Sequence, residues 1–219
     1  MLTFKALQKN EAVNTYIVGA DKSLMALGFT EHSFAHVTNV AETCKYILGT
    51  LGKSGHEIEL AQIAAYLHDI GNLVNRIEHS QSGAVMAFRI LDKLNMPPED
   101  IATVVTAIGN HDEGTGVPVD DISAALILAD KSDVRRSRVR NIDKATFDIH
   151  DRVNYSVESA NLTINEQKTE IRLTLKIDTA YGSIMEYFEI FMERMLLCRR
   201  AAEKLGLQFK LTINEQQLL

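Results

Sequence analysis

Proline is scarce, with three in 219 residues, so few obligatory breaks interrupt the chain. Cysteine is scarcer still. Cys44 and Cys198 stand far apart, which argues against a cysteine-based metal cluster or a disulfide framework and for two free thiols in a reducing compartment. No apolar run is long enough to span a bilayer, and residues 1–10 carry lysines without a signal-peptide core. Net positive charge is also missing. The formal net charge of -6 argues against general nucleic-acid binding, which needs a basic face to displace counterions. These absences lead us to expect a cytoplasmic protein with no membrane partner.

What is present is an ordinary globular composition, 46% hydrophobic and 24% charged. The length suits one cored domain, or one domain with a small appendage. Apolar residues recur at helical spacing over residues 9–27, 57–69, 80–94, 99–110 and 121–136. A further helix is expected over 30–51, with Thr30 as N-cap and an apolar face of Phe34, Val37, Val40, Ala41, Cys44 and Ile47. Pro97 and Pro98 are expected to close the helix over 80–94, and residues 112–120 form a loop.

The periodicity changes near residue 150. Residues 153–164 and 169–177 alternate apolar with polar, separated by Asn165-Glu166-Gln167-Lys168, which is a hairpin signal. A long helix over 183–204 and a strand over 207–213 follow. The expected fold is mainly α: a helical domain over residues 1–150 and a small β-β-α-β appendage over 151–219. The hexapeptide Leu-Thr-Ile-Asn-Glu-Gln occurs at 162–167 and again at 211–216. Two copies make no repeat architecture, and we read them as similar strand exits. Met185, Phe188, Phe191, Met192 and Met195 read as packing or as the face of a homodimer.

The chemistry is concentrated before residue 131. His32, His36, the adjacent pair His68-Asp69, His79, His111 and Asp130 sit on or near helices that are otherwise apolar. Imidazole nitrogen and carboxylate oxygen are ligands for divalent ions, and several helices can bring them to one point in a bundle core. Asp69 is the most telling. A buried, unpaired carboxylate costs several kcal/mol by order of magnitude, and a bound cation removes that cost.

The ordered segments Glu31-His32-Ser33-Phe34-Ala35-His36-Val37, Ala65-Tyr66-Leu67-His68-Asp69-Ile70-Gly71, Glu78-His79-Ser80-Gln81-Ser82-Gly83-Ala84, Ala107-Ile108-Gly109-Asn110-His111 and Leu128-Ala129-Asp130-Lys131 resemble the HD superfamily of metal-dependent phosphohydrolases. The resemblance covers roughly residues 30–135 and implies an HD-type helical bundle. It implies that His36, His68, Asp69 and Asp130 hold one ion, and that His79 and His111 join with a shared Asp69 to hold a second. Iron, manganese or another transition metal is implied, with magnesium as a further candidate. A metal-bound hydroxide is the implied nucleophile, with Asp69 orienting the water and accepting its proton. His36 is preferred to His32 because Val40-Ala41 follow it at the family's spacing. His32, four residues earlier on the same expected helix face, is placed beside the site as a substrate contact.

One position departs from the family pattern. Where many of its phosphodiesterases have a lysine three residues after the paired aspartate, this chain has Asn72. Arg76 lies one turn further on, and Lys131, Arg136 and Arg138 follow Asp130 in a basic run. Asn72, Arg76, Lys131, Arg136 and Arg138 are therefore the expected substrate contacts, although the arginine run reads equally as a solvated helix end. Asp133 competes with Asp130, but Asp130 follows the apolar run 124–129 and so is placed inward. Asp112 and Glu113 read as loop residues, Asp112 within reach of a metal-bound water, and His56 and His150 as ordinary histidines. The expected substrate is a small phosphorylated metabolite such as a nucleotide. The alternatives are a nucleotide-binding sensor that keeps the metal site without turnover and, further off, a di-iron oxygenase.

Overall fold

The computed structural model describes residues 2–219. The helices among them are α1 (Phe4–Gln8), α2 (Glu11–Ala26), α3 (Phe34–Thr50), α4 (Gly55–Leu67), α5 (His79–Lys93), α6 (Pro98–Gly109), α7 (Asp121–Ser132), α8 (Ile149–Ser156) and α9 (Ile184–Lys204). The strands are β1 (Val157–Ile164), β2 (Glu170–Ile177), β3 (Gln208–Ile213) and β4 (Gln216–Gln217). The fold is mainly α, with one small sheet, as expected. No helix of the described residues is long and apolar enough to cross a membrane.

Two helices form the centre. In α4 every residue from Leu60 to Leu67 is buried, and in α7 every residue from Ile122 to Ala129. Helices apolar on all sides must lie inside, so α3, α6 and α9 pack around them. Ser54 and Asp120 begin α4 and α7 with capping boxes.

The sheet runs in the order β1-β2-β3-β4. β1 and β2 form the expected antiparallel hairpin, while β2 and β3 pair in parallel. Parallel neighbours need a crossover, and α9 supplies it. Ile171, Leu173, Leu175 and Ile177 of β2 and Phe209, Leu211 and Ile213 of β3 are all buried. α9 packs on β3 and on α7, so one cluster of buried residues includes both the helical part and the tail.

Several boundaries differ from expectation. α3 starts after Ser33, whose hydroxyl accepts from the Ala35 amide, and not after Thr30. The Glu31 amide is held by the Arg138 carbonyl and the His32 amide by Asp21, which keeps this lead-in out of the helix. Pro97 and Pro98 do not close α5; Pro98 opens α6, where its fixed φ suits the first helical turn. α7 stops at Ser132, not near 136, because Asp133 leaves the helical conformation and Arg138 donates to the Asp133 carbonyl (2.6 Å). Residues 149–156 form α8, capped by Asp148, where the start of a strand was expected. The short β4 is an addition, reached through Asn214 and Glu215, both with positive φ, as a tight two-residue hairpin turn requires.

Candidate metal centre

Each helix delivers its donor at or near an end. His68 and Asp69 follow α4, His79 opens α5, His111 follows α6, Asp130 lies in the last turn of α7, and His36 lies in the first turn of α3. All six are buried except Asp130, which is half-buried at the cavity wall.

Backbone and carboxylate partners fix the direction of each ring. His68 Nδ1 donates to the Ala65 carbonyl at 2.7 Å, and His111 Nδ1 to the Ile108 carbonyl at 2.6 Å. His79 Nδ1 donates to the Arg76 carbonyl at 3.1 Å, and His36 Nδ1 to Asp133 Oδ2 at 2.7 Å. A carbonyl or carboxylate can only accept, so the proton sits on Nδ1 and the Nε2 lone pair faces the other way. Those four lone pairs converge. The His36 and His68 Nε2 atoms are 3.3 Å apart, and those of His79 and His111 3.2 Å.

The carboxylates lie between them. Asp69 Oδ2 is 3.3 Å from His68 Nε2 and 3.5 Å from His36 Nε2, while its Oδ1 is 3.5 Å from His79 Nε2. Asp130 Oδ1 is 3.3 Å from His36 Nε2, and its Oδ2 is 2.8 Å from Lys131 Nζ. Asp69 Oδ2 is buried without a hydrogen-bond partner. Facing lone pairs beside an orphaned carboxylate oxygen repel one another unless a cation lies among them. The donor set fits a divalent ion: one group consists of His36, His68 and Asp130, the other of His68, Asp69 and His111, each with its donor atoms within 4.8 Å of one another.

Burial alone would depress His68, yet Asp69 and Asp130 raise it to about 10, and His36 is raised by the same neighbours together with Asp133. A proton and a metal ion compete for the same Nε2 lone pair, so this field favours either. His111 moves down through burial and the neighbouring His68 and His79. Burial opposes ionisation of Asp69, but His68 and His36 hold its carboxyl well below the usual range.

The model of the HD domain matches residues 33–160, more than half of the chain. The chain belongs to the HD domain family, whose members are metal-dependent hydrolases. It is 26% identical to the uncharacterized protein MJ1020 of Methanocaldococcus jannaschii over 210 residues, covering 84% of this chain and 80% of that one. Among solved structures it is similar to a predicted HD superfamily hydrolase from an uncultured Thermotogales bacterium, with 23% identity and a TM-score of 0.45, over 62% of this chain and 75% of the other. HD domains bind divalent metals, and the buried cluster described above is where this HD domain could hold one.

A cavity of about 340 Å³ opens onto the cluster. His32, Arg76, Lys131 and Arg138 line it, together with Asp69, His79 and Asp130. His32 precedes α3 and so shares no helix face with His36; its ring still lies 5.4 Å from that of His36. Asn72 is not in the cavity wall. It is buried and donates to Asp69 Oδ1 at 3.0 Å. Arg136 is outside as well, over the rings of Tyr155 (4.5 Å) and Tyr181 (5.4 Å), with Nε donating to the Tyr155 carbonyl. The turn after α7 sends it towards α8.

Other polar residues also surround the cluster. Asp133 is no rival of Asp130, because it is buried behind His36. Glu113, read as a loop residue, is 2.5 Å from Lys131 Nζ. Asp112 reaches within 4.0 Å of His79 Nε2. His150, with Asp148, Asp151 and Asn154, forms the α8 wall of the cavity, and Phe191 and Arg194 come from α9. Arg194 had a signal: it is a charge on the apolar stripe of Phe191, Met195 and Cys198.

Proposed function

We propose that the chain is a metal-dependent phosphohydrolase that cleaves a phosphoester bond in a small phosphorylated metabolite, with a nucleotide as the favoured class. One observation carries the reading: four Nε2 lone pairs and two carboxylates meet at the floor of a cavity that four cationic side chains line. His36, His68, Asp69 and Asp130 would hold one ion, and His79 and His111 with Asp69 a second. Ions so held supply positive charge to phosphoryl oxygens and lower the pKa of water.

The protein's own groups do the rest. Asn72 fixes Asp69 Oδ1 through its amide and so sets the orientation of a carboxylate that would position a water and accept its proton. Arg76, 3.3 Å from His79 Nε2, stands where charge on the substrate would gather. His32 donates from Nδ1 to the Thr30 carbonyl (2.7 Å), so its Nε2 can accept from a substrate hydroxyl or water. Burial and the nearby Arg138 keep its imidazole well below the usual value, hence neutral. The cavity volume lies at the small end of the ligand-pocket range and suits one compact metabolite. Asp148 and Asp151 offer acceptors for hydroxyls.

The test is turnover of phosphomonoesters, phosphodiesters and a nucleotide panel, with manganese or iron and without oxygen. Activity is expected in at least one set, and Asp69→Asn should lower kcat by about 10²–10⁴-fold. Saturable nucleotide binding with no hydrolysis would replace this reading with that of a sensor. A strict need for oxygen would replace it with an oxygenase.

A further inference from the structure

Arg194 lies in α9, far along the chain from every donor of the cluster, yet it lines the same cavity as Asp69, His79 and Asp130. Two contacts hold it. Its Nε and Nη2 both reach Glu113 Oε1, at 3.4 and 3.2 Å. The guanidinium carbon sits 4.2 Å from the centre of the Phe191 ring. Nη1 has no hydrogen-bond partner among the described residues.

The other cations in the wall have partners of their own. Lys131 Nζ contacts Asp130 and Glu113. Arg138 gives Nε to the Glu31 carbonyl and Nη1 to the Asp133 carbonyl. Arg76 divides Nη1 between Asn72 and His79. Glu113 is shared by Lys131 and Arg194, and Lys131 has Asp130 as a second partner. Held in place beside the cavity and with an open donor, Arg194 is built to receive an anion.

We propose that Arg194 is a substrate-binding residue whose open Nη1 donor takes a non-bridging oxygen of the phosphoryl group, so that α9 completes the substrate site. The inference rests on the phosphohydrolase reading above. A planar guanidinium suits the task because it can keep Glu113 on one edge while offering another edge to phosphate. A lysine can do only one of these well. If Arg194 merely tied α9 to the loop carrying Glu113, its replacement would change stability and leave phosphate affinity alone.

The experiment uses the manganese-loaded full chain, with inorganic phosphate as probe in titration calorimetry and a phosphomonoester for KM and kcat. R194Q removes the charge; R194K keeps a cation for Glu113 but not the fork. The phosphate Kd should rise about 10-fold or more in R194Q and about 3–10-fold in R194K, with KM rising alongside. Bound manganese per chain should equal that of the wild type in both. If R194Q fails to fold, R194K decides alone. A phosphate Kd within twofold of the wild type in the folded variants overturns the inference while the wild type still hydrolyses phosphoesters. Loss of manganese from R194K also overturns it, since Arg194 would then act on the metal ligands. A wild-type chain that neither hydrolyses a phosphoester nor binds phosphate overturns the parent reading along with it.

Discussion

Replacing Asp133 by asparagine should weaken metal binding without touching a single expected ligand. The carboxylate has two occupied sides. Oδ1 accepts from Asn39 Nδ2 and Arg135 Nε, both at 2.8 Å, and Oδ2 accepts from His36 Nδ1 at 2.7 Å and, more weakly, from Arg135 Nη2 at 3.3 Å. Burial would raise this carboxyl, but the bond from His36 and the neighbouring Arg135 and Arg138 hold it well below the usual range. An asparagine has one acceptor oxygen. It would keep that oxygen on the two 2.8 Å bonds from Asn39 and Arg135 Nε, give up the longer bond from Arg135 Nη2, and leave its NH₂ facing His36 Nδ1. His36 would then have to accept at Nδ1 and carry its proton on Nε2, the atom that faces His68 and Asp130. The proton would occupy the lone pair a metal needs. Changes to such a partner typically cost 10–100-fold in metal affinity, which corresponds to about 1.4–2.7 kcal/mol. A competition titration with manganese, run beside Asn39→Ala, measures it. Asn39→Ala removes a donor to Oδ1 but leaves His36 its carboxylate, so its affinity should stay close to that of the wild type. If Asp133→Asn binds manganese as tightly as the wild type, the argument that Asp133 sets the His36 proton is wrong.

Three further outcomes are expected. With free metal about 100-fold above Kd, linkage contributes about 2.7 kcal/mol, so stripping the ion with a chelator should lower Tm by about 5–10 °C; superimposable melting curves with and without chelator would exclude a metal bound to the folded state. Gly71→Ala would drive a Cβ into the His79 carbonyl and the Gly83 amide, both backbone, so urea denaturation should show a loss of about 3 kcal/mol or more, and a variant as stable as the wild type would disprove the close approach. Arg136→Ala should cost about 1 kcal/mol of stability by removing its stacking on Tyr155 and Tyr181, and should leave KM alone; a raised KM would return Arg136 to the substrate.

The helical part was legible because its signals are local. The stripes of α2, α3, α5 and α6 and the uninterrupted apolar runs in α4 and α7 show in any short window, and so does the β1–β2 hairpin. The donor residues stood out for a related reason: carboxylates and imidazoles next to runs such as Ala124 to Ala129 demand a partner. Contacts between distant segments were not legible. Nothing near Asp133 announces that His36 lies against it, and nothing near Glu113 announces Arg194. α8 was misread because Val153 to Ser156 alternates like the strand that follows, while the helix is decided by the Asp148 cap. Arg136 was misplaced because the basic run was read as continuing α7, whereas the chain turns at Asp133.

The position of α9 bears on the order in which the molecule can become active. All six donors leave the ribosome well before residue 184, so a nascent chain has every one of them in hand while the helix that carries Ile190, Phe191 and Arg194 is still unmade. Until α9 arrives, α7 lacks its cover and the cavity lacks one wall. A chain interrupted in that interval would be able to capture metal but would leave it in an open trough.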